Sequence, residues 1–190
     1  MCGDIGAPAL AGSQSLGAGD TLTVSGGGAG IGTTMDAFHY VWMPSTGSTV
    51  SARVTLATGS PGGTKAGVMM RQDSSPSSPY YLAAVVPGGV AETMRIVVEA
   101  RTRDGAMAQR LTTTVALPIA AVGLRVQQAG AVLSAYYEPL DGTAWTPLPG
   151  STVVLSLAPS SIRGLVISGG DDATRAQAQF TVLKKAVLSP

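Results

Sequence analysis

Apolar and polar residues alternate with a period of two along most of this chain. The clearest segments are 20–25, 37–43 and 50–56, where successive side chains point to opposite sides of an extended backbone. Segment 80–86 is apolar almost throughout, which is typical of a strand covered on both faces. Runs rich in glycine, proline and serine separate these segments and favour turns. The pattern therefore predicts β-strands joined by turns.

Segment 64–73 is the predicted central strand. Alternate residues on one of its sides are small or apolar and suit a core: Ala66, Val68 and Met70. The opposite side carries a more polar set: Lys65, Gly67, Met69 and Arg71. An arginine that ends a buried strand is usually held by a carboxylate or by carbonyls, so Asp36 and Asp73 are the expected structural partners of Arg71.

Further strands are predicted from the same alternation, at 90–100, 111–117, 122–127, 132–137 and 164–168. Segment 101–110 is charged and aperiodic, which predicts an exposed connection. Asp141-Gly142 between apolar runs predicts a hairpin turn. The end of the chain is ambiguous, because 176–182 alternates like a strand but is rich in residues that favour helix.

Length and composition restrict the alternatives. The 190 residues fit one domain, 1–190, and charged residues make up 12%, about half the usual share of about 25%. The net charge of +1 without a basic stripe argues against nucleic acid as a partner. One cysteine and one histidine exclude an internal disulfide and a zinc site built from Cys and His. No apolar run has the roughly 18 residues that a transmembrane helix needs.

The start of the chain, Met1-Cys2-Gly3-Asp4, has no signal-peptide pattern. We expect either a cytoplasmic protein or, as we prefer, a module trimmed from a longer secreted or cell-surface protein. Serine and threonine are abundant here and charged residues are few. This composition is more common in extracellular bacterial β-modules than in cytosolic enzymes, and it therefore favours the second interpretation.

Several motifs occur in an order that resembles a known family. The most specific are Lys65-Ala66-Gly67-Val68-Met69-Met70-Arg71 and Asp141-Gly142-Thr143-x-Trp145-Thr146, supported by weaker ones such as Asp4-Ile5-Gly6 and Phe180-Thr181-Val182. Together they resemble the concanavalin A-like, or LamG-like, jelly-roll modules of bacterial secreted and multidomain proteins. These include relatives of domains appended to glycoside hydrolases and of "regulation of enolase" proteins.

The resemblance covers nearly the whole chain and implies an all-β fold, an antiparallel two-sheet β-sandwich with the jelly-roll arrangement. It implies that the last strand lies near the first ones. It also favours a strand at 176–182, since the family closes on a strand that contains phenylalanine. Because the family has many functions, this likeness alone is weak support for any one of them.

The sequence offers few groups of residues that could form a catalytic site. Glycoside hydrolysis needs two carboxylates across a cleft, and the spacing of Glu92, Glu99 and Glu138 pairs none of them. A catalytic triad would have to use His39, and no Gly-x-Ser-x-Gly motif accompanies it. We therefore expect Glu99 to be a solvated charge and His39 to be a locally hydrogen-bonded residue of a sheet face.

A carbohydrate-binding surface suits the composition better, because such sites pair an aromatic platform with charged hydrogen-bonding groups. The candidate ligand-binding residues are Arg71, His39, Lys65, Tyr81, Tyr137 and Trp145. For Tyr81 and Tyr137 a place in the core is an equal alternative. Calcium is a candidate structural ion and no other cofactor is expected; its ligands would be Asp4, Asp171 and Asp172 if the terminal strands pair.

Three functions follow from these observations, and we favour the first. It is a non-catalytic module that binds carbohydrate or another surface ligand. The second is a structural module that self-associates into oligomers or filaments, as low charge permits. The third is a glycan-active enzyme whose acid pair is not evident from spacing.

Overall fold

The computed structural model describes residues 1–44, 47–90, 93–114, 117–118, 120–139 and 144–182. In that part of the chain two antiparallel sheets of eight strands form an open sandwich. The predicted all-β, two-sheet antiparallel fold is therefore confirmed. No helix among these residues is long and apolar enough to cross a membrane.

The first sheet contains the predicted central strand. Its order is β1 (Cys2–Ile5), β4 (Phe38–Pro44), β15 (Ile162–Ser168), β6 (Lys65–Arg71), β7 (Tyr80–Pro87), β8 (Thr93–Arg101) and β10 (Leu117–Pro118). Strand β9 (Gln109–Thr113) also pairs with β8.

The second sheet has its long strands in the middle and short ones at its edges. Its order is β13 (Thr146–Pro147), β12 (Val132–Glu138), β11 (Val122–Ala129), β5 (Thr49–Leu56), β16 (Ala176–Val182), β3 (Thr21–Gly26) and β2 (Ser13–Leu16). Strand β14 (Val153–Val154) also pairs with β12, and a single 3-10 turn (Ala18–Asp20) precedes β3.

The main core lies between the two sheets and is built from alternate residues of their strands. Ala66, Val68 and Met70 of β6 are fully buried there, as the sequence predicted. Val54 of β5 and Phe180 of β16 meet them from the other sheet. Burial of apolar side chains on the two inner faces is the main force that holds such a sandwich together.

A second apolar cluster covers the outward side of the first sheet. Its buried members come from six strands and one loop: Ile5, Ile31, Phe38, Tyr40, Met69, Tyr80, Leu82, Ala84, Val97, Ile162 and Val166. Ile31 belongs to the loop 27–37, which lies across this side of the sheet. The first sheet is therefore buried on both faces, which accounts for the apolar run in β7.

The C-terminal segment is a strand and not a helix. Strand β16 pairs with β3 on one side and β5 on the other, so it is an inner strand of the second sheet. Ala176, Ala178 and Phe180 face the core, whereas Gln177 and Gln179 are exposed. Pairing and burial outweigh the helical propensity of this segment because tertiary contacts on both sides are available to a strand.

One connection differs from its sequence-based interpretation. Segment 101–110 is not simply exposed, since Arg101 is fully buried at the end of β8 and Gln109–Thr113 forms β9. Segment 151–157 contributes Leu155 and Leu157 to the main core, which explains its apolar composition. The predicted turn at Asp141-Gly142 lies outside the described residues.

Candidate functional site

Arg71, which the sequence singles out as a ligand-binding residue, is fully buried in an ion-pair network. Its Nη1 donates to Oδ2 of Asp36 at 2.7 Å. Arg101 donates to both oxygens of the same carboxylate, at 2.6 and 2.8 Å. All three side chains have no exposed surface. Arg71 therefore has the structural role that the sequence offered as the alternative, with Asp36 as its partner, and is not part of an open surface.

The two guanidinium groups also hold the loops that surround them. Arg71 donates to the carbonyl oxygens of Asp73, Ser75 and Pro76, and Arg101 donates to those of Thr33, Pro76, Ser78 and Ala106. The rings of Phe38 and Tyr80 lie 5.0 to 5.6 Å from the guanidinium carbons. Three loops, 33–36, 73–78 and 103–106, are thereby fixed to one end of the first sheet.

Lys65 also belongs to a network and not to an open groove. Its Nζ donates to Oε2 of Glu99 at 2.6 Å and to the carbonyl oxygen of Ile31 at 2.7 Å. Arg110 pairs with the other oxygen of Glu99 at 2.8 Å. Glu99 is only 4% exposed, so the prediction of a solvated charge was wrong. The loop 27–37 covers this pair, which a strand pattern alone does not show.

His39 lies on the inner side of its strand, between the two sheets. Strand β15 separates β4 from β6, and the register aligns His39 with Ile167 and Ala66, which face the core. His39 therefore does not share a sheet surface with Lys65 and Arg71, although all three are candidate ligand-binding residues. Nδ1 of His39 lies 2.7 Å from Oδ1 of Asp4, and Nε2 lies 2.9 Å from Oε1 of Gln14.

The two tyrosines proposed for stacking are placed differently from that proposal. Tyr81 is fully buried in the main core, where its hydroxyl donates to the carbonyl oxygen of Ser151 at 2.6 Å. Burial raises the pKa of Tyr81 above its ordinary value. Tyr137 is half-buried and packs against the same core. Both have the core role that the sequence allowed as an alternative.

The three carboxylates expected to share calcium are not brought together. Strand β1 lies in the first sheet and β16 in the second, so the terminal strands do not pair. Asp4 accepts from the backbone N–H of Gly12 as well as facing His39, whereas Asp171 and Asp172 accept from the backbone N–H groups of Ala173 and Ala9. Within the described ranges no three acidic, histidine or cysteine side chains form a group that suits a metal ion.

Among the residues that the structure describes, no loop buries the outward side of the second sheet, and we call this surface the open face. Its residues alternate with core residues along the strands and are half-buried or exposed. They are Thr21, Thr23, Ser25, Ser51, Arg53, Thr55, Arg125, Gln127, Tyr136, Glu138, Gln177 and Gln179. Hydroxyl and amide groups dominate this set, so the surface is rich in hydrogen-bond donors and acceptors and low in net charge.

Trp145 lies at one end of the open face and is half-buried. The guanidinium carbon of Arg125 is 3.8 Å from the centre of its ring. A Cβ added at Gly123 would lie 3.1 Å from the indole of Trp145 and 3.2 Å from Oε2 of Glu138, so both side chains lie over this glycine. Glu138 accepts a hydrogen bond from Arg53 at 2.8 Å. We call Trp145, Arg125, Glu138 and Arg53 the Trp145 cluster.

The electrostatics of the Trp145 cluster follow from partial burial. Nε of Arg125 is buried without a hydrogen-bond partner among the described residues. Desolvation lowers the pKa of this guanidinium, and the nearby Glu138 carboxylate opposes that shift. Sequence reasoning found Trp145 but missed its three neighbours. The signal was present, because Gly123 and Arg125 both fall on the outward side of a strand whose inward residues are apolar.

Comparisons with known proteins extend the description of the fold. No family model matches the sequence, and no curated protein matches it. A functionally unknown protein from Saccharomyces cerevisiae has a similar structure, with a TM-score of 0.66 and 16% identity over 89% of this chain and 88% of that one.

Two carbohydrate-active enzymes also share the fold. A xylan β-1,4-xylosidase from Bacillus halodurans C-125 has a TM-score of 0.64 and 14% identity, over 93% of this chain and 34% of that chain. An alginate lyase from Klebsiella pneumoniae has a TM-score of 0.55 and 12% identity, over 90% of this chain and 82% of that one. This chain thus spans about a third of the length of the xylosidase. At these identities the likeness shows a common β-sandwich.

Proposed function

We propose that this chain is a non-catalytic, concanavalin A-like module that binds carbohydrate on its open face. The observation that carries the proposal is the Trp145 cluster: a half-exposed indole with a guanidinium and a carboxylate beside it. Sugars present apolar ring faces and hydroxyl edges, and a site of this composition offers a partner for each. A secreted or cell-surface location fits this role.

In this proposal each residue of the Trp145 cluster has a part. Arg125 supports one face of the indole, and the sugar ring stacks on the opposite face. Arg53 and Glu138 fix each other through their ion pair and present donors and an acceptor to sugar hydroxyls. Gly123 leaves the space that the indole occupies beside the sheet.

The rest of the open face extends the site for a polymer. Gln177, Gln179 and the threonines of β3 form rows of amide and hydroxyl groups across neighbouring strands. Strands in a sheet are about 4.8 Å apart, so three or four strands span the length of two to three sugar rings. A polysaccharide is therefore a better ligand for this surface than a single sugar.

Binding without catalysis is proposed on the basis of the carboxylates. Hydrolysis by paired acids needs two carboxyl groups about 5 to 9.5 Å apart. Among the described strand residues of the open face, Glu138 is the single carboxylate, and it is paired with Arg53. The fold shared with a xylosidase and an alginate lyase supports a carbohydrate ligand only at the level of architecture.

The test is affinity electrophoresis and calorimetry against xylan, alginate, mixed-linkage glucan and starch. We expect Trp145→Ala to weaken binding at least tenfold, which corresponds to about 1.4 kcal/mol. Trp42→Ala is the matched control, because Trp42 is a half-buried tryptophan on the first sheet that stacks on Tyr40. Equal binding by wild type and Trp145→Ala, or no binding to any of the four polymers, would overturn the proposal.

A further inference from the structure

A recess of about 270 Å³ lies where the β4–β5 connection approaches the β11–β12 turn. Its lining includes Gly47, Ser48, Gln128, Gly130, Pro159 and Arg163. Arg163 is the second residue of β15 and its side chain lies on the inner side of the first sheet, as its register with Met70 shows. The recess is separate from the Trp145 cluster, since Gln128 and Gly123 are five residues apart on one strand.

Arg163 is only 6% exposed, yet its guanidinium has few partners. Its Nη2 donates to Oε1 of Gln128 at 3.1 Å. Nε and Nη1 are buried and have no hydrogen-bond partner among the described residues. One N–H on Nε and two on Nη1 are therefore left without an acceptor there.

The described lining of the recess also provides no negative charge to balance that of Arg163. None of the described residues that line the recess is acidic, and burial lowers the pKa of this guanidinium. Arg71 and Arg101, the other two deeply buried arginines, share the carboxylate of Asp36 and donate to several carbonyls. Burial of a cation without an anion and with unpaired donors costs free energy. A bound group that supplies a negative charge and hydrogen-bond acceptors offsets this cost.

We propose that this recess binds the carboxylate group of a small organic acid or of an acidic sugar. A single positive charge favours a singly charged partner, because a dianion such as sulfate leaves a negative charge in the recess and loses more hydration. The planar donors of arginine match a carboxylate, and the amide of Gln128 holds the guanidinium in place. The carboxylate replaces the acceptors that the protein does not provide.

Access requires a small movement of the rim. The two unsatisfied nitrogens are buried, and the exposed part of the recess lining includes two glycines and a proline, Gly47, Gly130 and Pro159. Gly130 has no side chain to displace, so an outward shift of the β11–β12 turn exposes the donors.

The first experiment measures thermal unfolding of the wild-type protein at constant ionic strength in acetate, glucuronate, glucose and sulfate. A ligand that binds only the folded state raises Tm with increasing concentration. We expect acetate and glucuronate to raise Tm and glucose to leave it unchanged. Equal effects of acetate and glucuronate identify the carboxylate as the whole ligand, whereas a larger effect of glucuronate identifies an acidic sugar.

The second experiment assigns the effect to Arg163. Arg163→Met keeps much of the apolar stem, so we expect Tm without carboxylate to be equal to or above that of the wild type, and the carboxylate-dependent rise to disappear. Arg95→Met, at an exposed arginine on the first sheet, is the control and should keep the rise. If Arg163→Met does not fold, the Nε–H resonance of Arg163, assigned by its loss in Arg163→Lys, should shift when acetate is added to the wild type.

Three results would overturn the proposal. One is the absence of a Tm rise with either carboxylate, and the second is a larger rise with sulfate than with both. The third is a carboxylate effect that persists in Arg163→Met, or a resonance of Arg163 that acetate does not move. Loss of polysaccharide binding in Trp145→Ala tests a different surface, so the two proposals stand or fall separately.

Discussion

Asp36 and Arg101 are joined by two hydrogen bonds, from Nη2 to Oδ1 at 2.6 Å and from Nη1 to Oδ2 at 2.8 Å, with both side chains fully buried. Arg71 makes a third charged bond to the same carboxylate. The backbone N–H of Gly32 makes a fourth, at 3.0 Å. Both oxygens of Asp36 are therefore used twice, and the network holds three loops against the end of the first sheet.

Removing the charge of Asp36 should destabilise the protein strongly. We expect Asp36→Asn to lower the free energy of unfolding by about 3 to 5 kcal/mol, because it leaves two buried guanidinium groups without an anion. Urea unfolding followed by circular dichroism measures the change. Asp104→Asn is the control, since Asp104 is exposed and accepts one bond from Ser77, and we expect it to cost less than about 1 kcal/mol. A loss below about 1 kcal/mol in Asp36→Asn would contradict the structural role of the network.

Two adjacent tyrosines should respond differently to loss of the hydroxyl. Tyr81 donates to the buried carbonyl oxygen of Ser151, so we expect Tyr81→Phe to cost about 1 to 2 kcal/mol. The hydroxyl of Tyr80 is buried without a partner among the described residues, while its ring contacts Arg71 and Arg101. We expect Tyr80→Phe to be neutral or stabilising because the ring contacts remain. Equal losses in the two variants, measured by denaturant unfolding, would refute this difference.

Stability should fall steeply in alkali. Burial raises the pKa values of Tyr40, Tyr80 and Tyr81 far above the ordinary tyrosine value of 10. Above pH 10 the unfolded chain therefore releases protons that the folded protein keeps, and unfolding becomes easier as pH rises. Each tyrosine contributes a slope of about 1.4 kcal/mol per pH unit, so three contribute about 4. Unfolding free energies between pH 8 and 11.5 measure this, and a flat profile across pH 10 would disprove it.

Substitution of Gly123 tests whether polysaccharide binding depends on the position of the Trp145 indole. The added methyl of Gly123→Ala would lie 2.9 Å from Cβ of Glu138 and 3.1 Å from the indole of Trp145. We expect the indole to be displaced, the free energy of unfolding to fall by about 1 to 3 kcal/mol, and polysaccharide binding to weaken.

Gly62→Ala provides the matched control for that substitution. A Cβ at Gly62 would meet no atom within 4 Å. We expect this variant to gain up to about 1 kcal/mol, since alanine has less freedom than glycine in the unfolded chain, and to bind as the wild type does. Calorimetry and denaturant unfolding of both variants measure these effects. Wild-type binding by Gly123→Ala would show that the indole does not need its position over the sheet.

The alternation of the strands was sufficient to predict an all-β chain, because it reflects which side of each strand meets the core, whereas the arrangement in two antiparallel sheets followed from the family resemblance. Ala66, Val68 and Met70 lie in the core as predicted, and Phe38 and Tyr40 share a side of β4. At 176–182 the alternation competed with helical propensity. The family resemblance, and not propensity, favoured the correct structure there.

The alternation does not show which sheet face is covered by a loop. The polar side of β6 looks like a solvent-facing groove in sequence, but the loop 27–37 lies on it and buries Arg71 and Glu99. The alternation also does not show which strands pair over long distances in sequence. Strand β15 lies between β4 and β6 although it follows β6 by about 90 residues. In the resulting register His39 is on the inner side. The candidate site was therefore only partly predicted, through Trp145, because Arg53 comes from β5, a strand that the sequence does not place beside β11.

Because three loops converge on Asp36, insertions should be tolerated at turns far from these loops and not within them. The turns at Gly59 and Gly89 are left-handed, and a Cβ built at either would meet no atom within 4 Å, so peptides can be grafted there without disturbing a neighbour. An insertion within 73–78 removes carbonyl acceptors from both guanidinium groups at once. Display of epitopes or fusion of further domains therefore belongs at the two glycine turns.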